Sequence, residues 1–398
     1  MITDFFSPEI TLFLKDIESL GFSLCLVGGS TRDFFYSQTV SNDLDFEIRP
    51  TFGTIITPEA WPQYYKKMHH YLQAKNLIYT ELPYLITRVS FANKHFEFSS
   101  PRCEVSISGN FSHHHFKAEI DPNLDYLTSF KRRDFSINAI GIELSLSSSP
   151  KEKIIDPYNG MNDLKNGILR NLTDDFFCDS VRFMRLIRFS LKFEKFKIQD
   201  KLFSKLHLFN LTDLSVHHFK EELFKSRPSE FLNSFTKMVT EQKIPISEKF
   251  NFWLKYNFPK NLVTKEELLA YVFLINAEDA KKVESFFSLP EKKIKDLNSF
   301  VNSYKNILEF NKENFSDILA LPMLEALKKD IFRDLKNLED KKDWRFILNF
   351  SFQNQKILID WDNWKNIKID PIQQELIPPA YRSYYIYYLA LRKRFLND

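Results

Sequence analysis

The stretch LCLVGGSTRDFFYSQTVSNDLDFEI, residues 24–48, decides the fold of the N-terminal part of the chain. Its pattern predicts a buried strand at 24–27, a tight turn at Gly28-Gly29, a helix at 31–37 and a second strand at 43–48. The whole chain of 398 residues has only 8 glycines. Two adjacent glycines between a strand and a helix therefore indicate a backbone that approaches a ligand closely or adopts dihedrals that other residues resist.

This turn has the properties of a phosphate-binding site. The first N–H groups of a helix have no partner within the helix, and the helix dipole makes that end attractive to anions. Arg32 lies one turn into the predicted helix and adds a cation that can donate two parallel hydrogen bonds. We therefore expect Gly28, Gly29, Ser30 and Arg32 to bind the phosphates of a nucleotide.

The second strand begins with Asp43 and Asp45, two residues apart. Alternate residues of a strand project from the same face, so the two carboxylates should lie side by side. Carboxylate oxygens suit Mg²⁺, and two such ions can promote phosphoryl transfer. The alternative is a polar strand end with solvated acids. The preceding glycine turn favours the metal site.

The rest of the chain divides into two parts by its hydrophobic pattern. Further strand patterns lie at 86–92, 95–99 and 138–144, and helical patterns lie at 9–20 and 59–74. Beyond about residue 160 the chain reads as a succession of amphipathic helices. These patterns predict an α/β head followed by an all-helical remainder.

Composition excludes several classes of protein. The three cysteines, Cys25, Cys103 and Cys178, share no CxxC spacing, so a disulfide framework or a cysteine metal site is not expected. The first residues lack the basic and apolar regions of a secretion signal, and no apolar run approaches 18 residues. The net charge of +3 indicates little by itself. We expect a soluble, cytoplasmic protein with no membrane partner, and no protein partner is indicated.

Three further motifs follow in order, namely KRRDFSINAI (131–140), IIDPYNGMNDLKNGILR (154–170) and FFCDSVRFMRLIRF (176–189). Together with residues 24–48 they resemble the class II CCA-adding tRNA nucleotidyltransferases and the bacterial poly(A) polymerases of the DNA polymerase beta superfamily. The resemblance implies an α+β fold. It also implies three parts: a nucleotidyltransferase head with a mixed sheet (1–140), a helical neck that selects the nucleotide (141–226), and a helical body and tail that bind tRNA (227–398).

The activity that this resemblance implies is the template-independent addition of C, C and A to the 3′ end of tRNA. CTP and ATP would be the substrates, Mg²⁺ the cofactor, and pyrophosphate the leaving group of a two-metal phosphoryl transfer. Four alternatives stay open: a CC-adding enzyme, an A-adding enzyme, a poly(A) polymerase, and a tRNA-binding relative without catalytic activity.

The resemblance also assigns roles to residues of the head. Glu97, which alternates within HFEFSS (95–100), is the candidate for a third catalytic carboxylate, and the alternative is an ordinary exposed acid of the strand. Arg133 and Asp134 are placed at the ribose and phosphates. A carboxylate that accepts from the 2′-hydroxyl would select ribonucleotides over deoxyribonucleotides. Arg132 and Asn138 are expected to support the fold, and Asn138 is also counted with the nucleotide site.

Asp179 and Arg182 are the candidate base readers, three residues apart on a predicted helix. Cytosine and adenine each present an amine donor beside a ring nitrogen acceptor, whereas uracil and guanine present the reverse. Because a carboxylate only accepts and a guanidinium only donates, this pair should take C and A and reject U and G. The alternative is a surface salt bridge. Arg185 is expected to contact the triphosphate or the tRNA backbone.

Four positions depart from the family pattern. Cys178 stands where the family usually has Glu, Thr128-Ser129 where it has two acids, and His218 where it commonly has Arg, while Glu222 keeps its place. These departures leave the balance between C and A addition open.

Overall fold

The computed structural model describes residues 1–106, 116–146, 151–260, 262–309, 312–321, 323–340, 367 and 377–396. The chain forms two compact units. The first unit contains Met1–Ser226 and Ser234–Leu254, and the second contains Arg227–Asn233 and Lys255–Asp398.

The described strands all belong to the first unit. In chain order they are β1 (Phe22–Val27), β2 (Asp43–Pro50), β3 (Tyr79–Leu82), β4 (Ile86–Phe91), β5 (Lys94–Ser99), β6 (Arg102–Ser106), β7 (Phe116–Ile120), β8 (Gly141–Ser145), β9 (Lys151–Ile155), β10 (Ile168–Leu169) and β11 (Lys197–Ile198). Seven of them form one sheet in the order β3-β4-β5-β2-β1-β8-β9. Within this sheet the β2–β5 pair is parallel, and all the other strand pairs are antiparallel. The mixed sheet of the predicted α+β fold is therefore confirmed.

The described α-helices occur in both units. Up to residue 254 they are α1 (Pro8–Ser19), α2 (Gly29–Ser37), α3 (Trp61–Ala74), α4 (Tyr126–Phe130), α5 (Gly160–Asn166), α6 (Ser180–Lys192), α7 (Asp200–Phe203), α8 (Val216–Phe224), α9 (Pro228–Gln242) and α10 (Glu248–Asn251). Beyond it they are α11 (Lys265–Ile275), α12 (Ala277–Phe287), α13 (Glu291–Glu309), α14 (Lys312–Leu319), α15 (Met323–Ala326), α16 (Asp330–Asp340) and α17 (Arg382–Leu396).

Residues 24–27 of β1 are buried on both faces of the sheet, which explains their unbroken apolar sequence. Leu24 and Leu26 pack into the main core of the head, whereas Cys25 and Val27 face a second cluster that includes Phe130. Aromatic rings dominate the main core, where the Phe13, Phe46, Phe96 and Phe98 rings are in mutual contact. This packing holds the sheet edge that carries Asp43 and Asp45.

The structure corrects the predicted strand at 138–144. Residues Ser136–Asn138 form a 3-10 turn, because the Ser136 N–H donates to the Arg170 carbonyl and draws the chain away from the sheet. Strand β8 begins only at Gly141. Because β8 pairs with β1 and β9 pairs with β8, the sheet continues past residue 140, where the head was predicted to end.

Strand β9 was not predicted, nor were β3, β6 and β7. The expectation that strands end near residue 160 is wrong for β10 and β11, a parallel pair of two residues each. Strands this short carry too little alternation to be recognised from the sequence.

The helices of the second unit pack mainly as α11 with α12 and α13 with α16. Asp279 is 2% exposed there and accepts hydrogen bonds from Lys255, Tyr256 and Lys282. Within the described part of the chain, no helix combines the length and the apolar character needed to cross a membrane.

Candidate active site

The turn between β1 and α2 depends on one glycine. Gly28 has φ 78° and ψ −134°, a conformation that residues with a Cβ atom rarely adopt. A Cβ atom at Gly28 would also lie 3.3 Å from Asp45 Oδ2 and 3.6 Å from Arg133 Nη1. Gly29 begins α2, and a Cβ atom there would meet only Arg32 Nη2, at 3.7 Å. Of the two glycines in the predicted turn, Gly28 is the one that the backbone conformation requires.

Ser30 and Arg32 are directed to protein groups. Ser30 is 2% exposed, and its Oγ donates to the Asp43 carbonyl at 2.6 Å, which ties α2 to β2. Arg32 is 5% exposed, its Nη1 donates to Asn138 Oδ1 at 2.6 Å, and its guanidinium lies 5.1 Å from the Phe189 ring centroid. Both side chains are therefore bonded within the protein, and their phosphate contacts stay a prediction. Phosphate binding by the N–H groups at the start of α2 also stays a prediction.

Asp43 and Asp45 lie on one face of β2 and are both exposed. The parallel pairing of β2 with β5 sets Asp45 opposite Glu97. Incomplete hydration within the cleft raises the pKa of Asp45, Glu97 raises it further, Arg133 opposes the shift, and Asp43 adds to it. The three acids therefore form a concentration of negative charge that a cation would relieve.

A cavity of about 1080 Å³, which we call the carboxylate cavity, opens at these acids. Its lining combines three acids with three basic residues: Asp43, Asp45, Glu97, Arg88, Arg185 and Lys225. Arg88 Nε donates to Glu97 Oε2 at 2.7 Å, across the antiparallel β4–β5 pair. Sequence reasoning missed Arg88 and Lys225. Arg88 could have been found from its position opposite Glu97 in the β4–β5 hairpin. That position is known only after the two strands have been aligned with each other.

The acids of the carboxylate cavity fit a magnesium site with few protein ligands. Mg²⁺ is commonly held by one or two carboxylates together with waters and substrate phosphates. Among the residues that the structure describes, no three His, Cys, Asp or Glu side chains are grouped to hold a metal. Asp43 and Asp45 therefore fit as a pair of ligands whose coordination a nucleotide would complete, and Glu97 is held apart by Arg88.

Asp134 anchors α6 to the head and is 7% exposed. Its Oδ2 accepts from Arg185 Nε at 2.6 Å, and its Oδ1 accepts from Asn138 Nδ2 and from the Phe135 N–H, each at 2.8 Å. Burial alone would raise the pKa of Asp134, but Arg185 and these hydrogen bonds lower it to about 2. Asp134 therefore positions Arg185, and its predicted contact with the 2′-hydroxyl stays a prediction.

The other residues of the KRRDFSINAI motif (131–140) differ in accessibility to solvent. Asn138 is 5% exposed and joins Arg32 to Asp134, so it supports the fold, and its place in the nucleotide site is corrected. Arg133 lies over the Phe130 ring at 4.9 Å, and its Nη1 is beside the Gly28 turn. Of the motif's charged side chains, Arg133 is thus placed to reach a phosphate at the turn.

Asp179 and Arg182 are in contact, but Asp179 precedes α6 and acts as its N-cap. Asp179 Oδ1 accepts from the Val181 N–H at 2.7 Å and from the Arg182 N–H at 3.3 Å, as is typical of an aspartate cap. Asp179 Oδ2 lies 3.5 Å from Arg182 Nε. Arg182 Nη2 donates to the Arg132 carbonyl at 2.9 Å. The predicted pair on one helix face is corrected to a cap and a first-turn residue.

These two residues line a second cavity of about 360 Å³, which we call the arginine cavity. Its charged and polar lining includes Arg102, Glu104, Thr128, Lys131, Arg132, Asp175, Asp179 and Arg182. Helix α6 thus contributes Arg182 to the arginine cavity and, one turn later, Arg185 to the carboxylate cavity.

Comparison with known proteins agrees with this geometry. Residues 24–170 match the family described as the Poly A polymerase head domain. The CCA-adding enzyme of Lactobacillus helveticus is 30% identical over 219 residues, which cover 53% of this chain and 48% of that enzyme. The head of the chain is therefore similar to that of the class II CCA-adding and poly(A) polymerase nucleotidyltransferases. The chain spans about half the length of the curated relative.

Solved structures share the fold of this chain beyond its head. A tRNA-processing enzyme with CTP aligns with a TM-score of 0.54 at 18% identity, covering 96% of this chain and 99% of its own. The Thermotoga maritima CCA-adding enzyme complexed with tRNA aligns with a TM-score of 0.50 at 17% identity, covering 100% of this chain and 94% of its own.

The departures from the family pattern have structural partners here. Ser129, which replaces an acid, is buried and donates to Glu47 Oε1 at 3.0 Å, while Arg49 donates to Ser129 Oγ at 2.9 Å. Thr128 lines the arginine cavity.

Glu222, which keeps its place in the family pattern, is 3% exposed and accepts a hydrogen bond from Arg188 Nε, which ties α8 to α6.

Proposed function

We propose that this nucleotidyltransferase adds C, C and A to the 3′ end of tRNA without a template, using CTP and ATP and releasing pyrophosphate. The observation that carries the proposal is the closeness of the Gly28 turn to Arg133 and to Asp45, a residue that lines the carboxylate cavity. A phosphate-binding helix start, two metal-binding carboxylates and an arginine meet there. This combination serves phosphoryl transfer from a nucleotide.

The triphosphate would lie at the start of α2, with Arg133 beside it. Asp43 and Asp45 would hold Mg²⁺, which when bound activates the attacking hydroxyl and stabilises the charge on the leaving pyrophosphate. Glu97 would accept the proton of the primer 3′-hydroxyl, and Arg88 would orient its carboxylate. Arg185, positioned by Asp134, would add positive charge to the same cavity.

The base would lie in the arginine cavity against Asp179 and Arg182. Asp179 Oδ1 caps α6, and Oδ2, which lies 3.5 Å from Arg182 Nε, would accept from the exocyclic amine of cytosine or adenine. Arg182 would donate to the adjacent ring nitrogen. A good bidentate contact of this kind discriminates between bases by roughly 1–3 kcal/mol.

We further propose that residues 141–226 act as the nucleotide-selecting neck and residues 227–398 bind tRNA. The named structural relatives that act on tRNA support this assignment, since they align over nearly all of the chain.

The test is to supply CTP, ATP, UTP and GTP singly and together to tRNA ending at the discriminator base, at C or at CC. We expect CTP to extend the first two substrates and ATP to extend the third. Addition of only C or only A would indicate a CC-adding or an A-adding enzyme. Long A tails on unstructured RNA would indicate a poly(A) polymerase. Retained tRNA binding without any addition would contradict the proposal.

A further inference from the structure

The arginine cavity contains two guanidinium groups that the base reader does not use. Arg102 and Arg132 both line it. Arg102 Nη1 and Arg132 Nε are buried and have no hydrogen-bond partner in the part of the chain that the structure describes. The Arg102 guanidinium lies 5.5 Å from the Tyr84 ring centroid, which restricts its orientation.

These two cations are close to other positive charge. Burial, Arg102 and Arg133 lower the pKa of Arg132 to about 9, and Glu47 and Glu104 oppose the shift only in part. Glu47 Oε1 is bonded to Arg49 and Ser129, whereas Glu47 Oε2 is buried and has no hydrogen-bond partner among the described residues. The fold therefore holds Arg102 and Arg132 near each other without a paired carboxylate on either unsatisfied nitrogen.

Buried charged donors without acceptors are rare, because the lost hydration is not replaced. When two residues with such donors line one cavity, the missing acceptor is most simply an anion that binds there. A phosphate offers several oxygens that match the planar N–H groups of arginine. The volume of about 360 Å³ falls within the usual range for small-ligand sites.

We propose that Arg102 and Arg132 bind a phosphate group in the arginine cavity, in addition to the phosphate contacts at the Gly28 turn. The two possible sources, the phosphodiester backbone of the RNA 3′ end and the triphosphate of a nucleotide, rest on the proposed function. The cation pair itself does not depend on it.

The experiment measures binding without turnover, so that it does not depend on catalysis. The variants Arg102→Gln and Arg132→Gln are compared with Arg102→Lys and Arg132→Lys and with the control Lys66→Gln, an exposed residue of α3. Dissociation constants are measured over a range of salt for tRNA lacking CCA, and in parallel for CTP alone. Thermal unfolding of each variant is recorded.

We expect each Gln variant to weaken one ligand roughly tenfold. If that ligand is tRNA, the slope of log Kd against log salt concentration should fall by about 0.7–0.9 per variant. The phosphate in the arginine cavity then comes from a phosphodiester of the RNA. If the ligand is CTP, the source is a triphosphate. The Lys variants should recover part of the affinity, and Lys66→Gln should change neither ligand.

Thermal stability separates this role from a structural one. Removing one of two unpaired, like-charged side chains should leave the melting temperature unchanged or raise it. Unchanged affinity for both tRNA and CTP in both Gln variants would overturn the proposal, whether or not the enzyme adds nucleotides. A lower melting temperature with unchanged binding would overturn it in favour of a purely structural role.

Discussion

Asp45 and Glu97 face each other across the parallel β2–β5 pair, and the negative charges of the two carboxylates repel each other. Arg88 binds Glu97 from the opposite side, at 2.7 Å. The two acids are therefore not equivalent. Glu97 is paired with the guanidinium of Arg88, whereas Asp45 is placed to bind a metal together with Asp43.

Replacing Asp45 by Asn should abolish nucleotide addition, with a loss of at least about 10³-fold, because transition-state charge stabilisation is lost. Thermal stability in the absence of metal should be unchanged or higher, since the repulsion with Glu97 disappears. Addition rates and melting temperatures, each with and without Mg²⁺, measure both effects. Glu9→Gln, at an exposed position of α1, is the control. Normal turnover by Asp45→Asn in Mg²⁺ would refute the metal assignment.

Gly28→Ala should be far more harmful than Gly29→Ala. A residue with a Cβ atom at φ 78° costs roughly 1–2 kcal/mol, and the added methyl group would crowd Asp45 and Arg133. Gly29 is a helical position with room for a methyl group, so its Ala variant should be neutral or slightly stabilising. Urea unfolding and CTP binding measure the difference. Equal effects of the two variants would contradict the role assigned to Gly28.

Asp179→Asn separates base reading from helix capping. Asn caps a helix as well as Asp does, so Asp179→Asn should keep its stability, whereas Asp179→Ala should lose about 1 kcal/mol. With its oxygen retained on the Val181 N–H, the Asn amide would present a donor in place of Oδ2. Use of CTP and ATP should then fall, and misincorporation of UTP and GTP should rise.

The measurement is the rate of addition of each nucleotide to tRNA lacking CCA, by the wild type and both variants. Unchanged nucleotide choice by a stable Asp179→Asn enzyme would mean that Asp179 is only a helix cap paired with Arg182.

Asp134→Asn should make stability less dependent on acid pH. The pKa of Asp134 is lowered to about 2 in the fold, from a usual value near 3.8, which corresponds to about 2 kcal/mol of stability. For a carboxyl with a lowered pKa, this stability is fully present above the unfolded pKa and is lost as the pH falls towards 2. The difference in unfolding free energy between wild type and variant should therefore be largest at pH 6–7 and shrink below about pH 4. A difference that stays constant from pH 7 to pH 3 would contradict the ion pair with Arg185.

Local patterns in the sequence determined the strand-turn-helix unit at residues 24–48, the shared face of Asp43 and Asp45, and the family resemblance of the head. These features depend on residues close together in the chain, where side-chain period and glycine preference act directly. The buried strand β1 was recognisable because every one of its residues 24–27 is apolar.

Tertiary structure decided which of the candidate side chains remain accessible. Arg32 and Asn138 lie 106 residues apart, yet they bond to each other and are buried. Asp134 and Arg185 are joined across 51 residues. Such pairings depend on strand register and on how α6 packs against the head, and no local pattern encodes either. For the same physical reason, Arg102 and Arg132 could not be recognised until folding had brought them to one cavity and left Arg102 Nη1 and Arg132 Nε buried without a hydrogen-bond partner among the described residues.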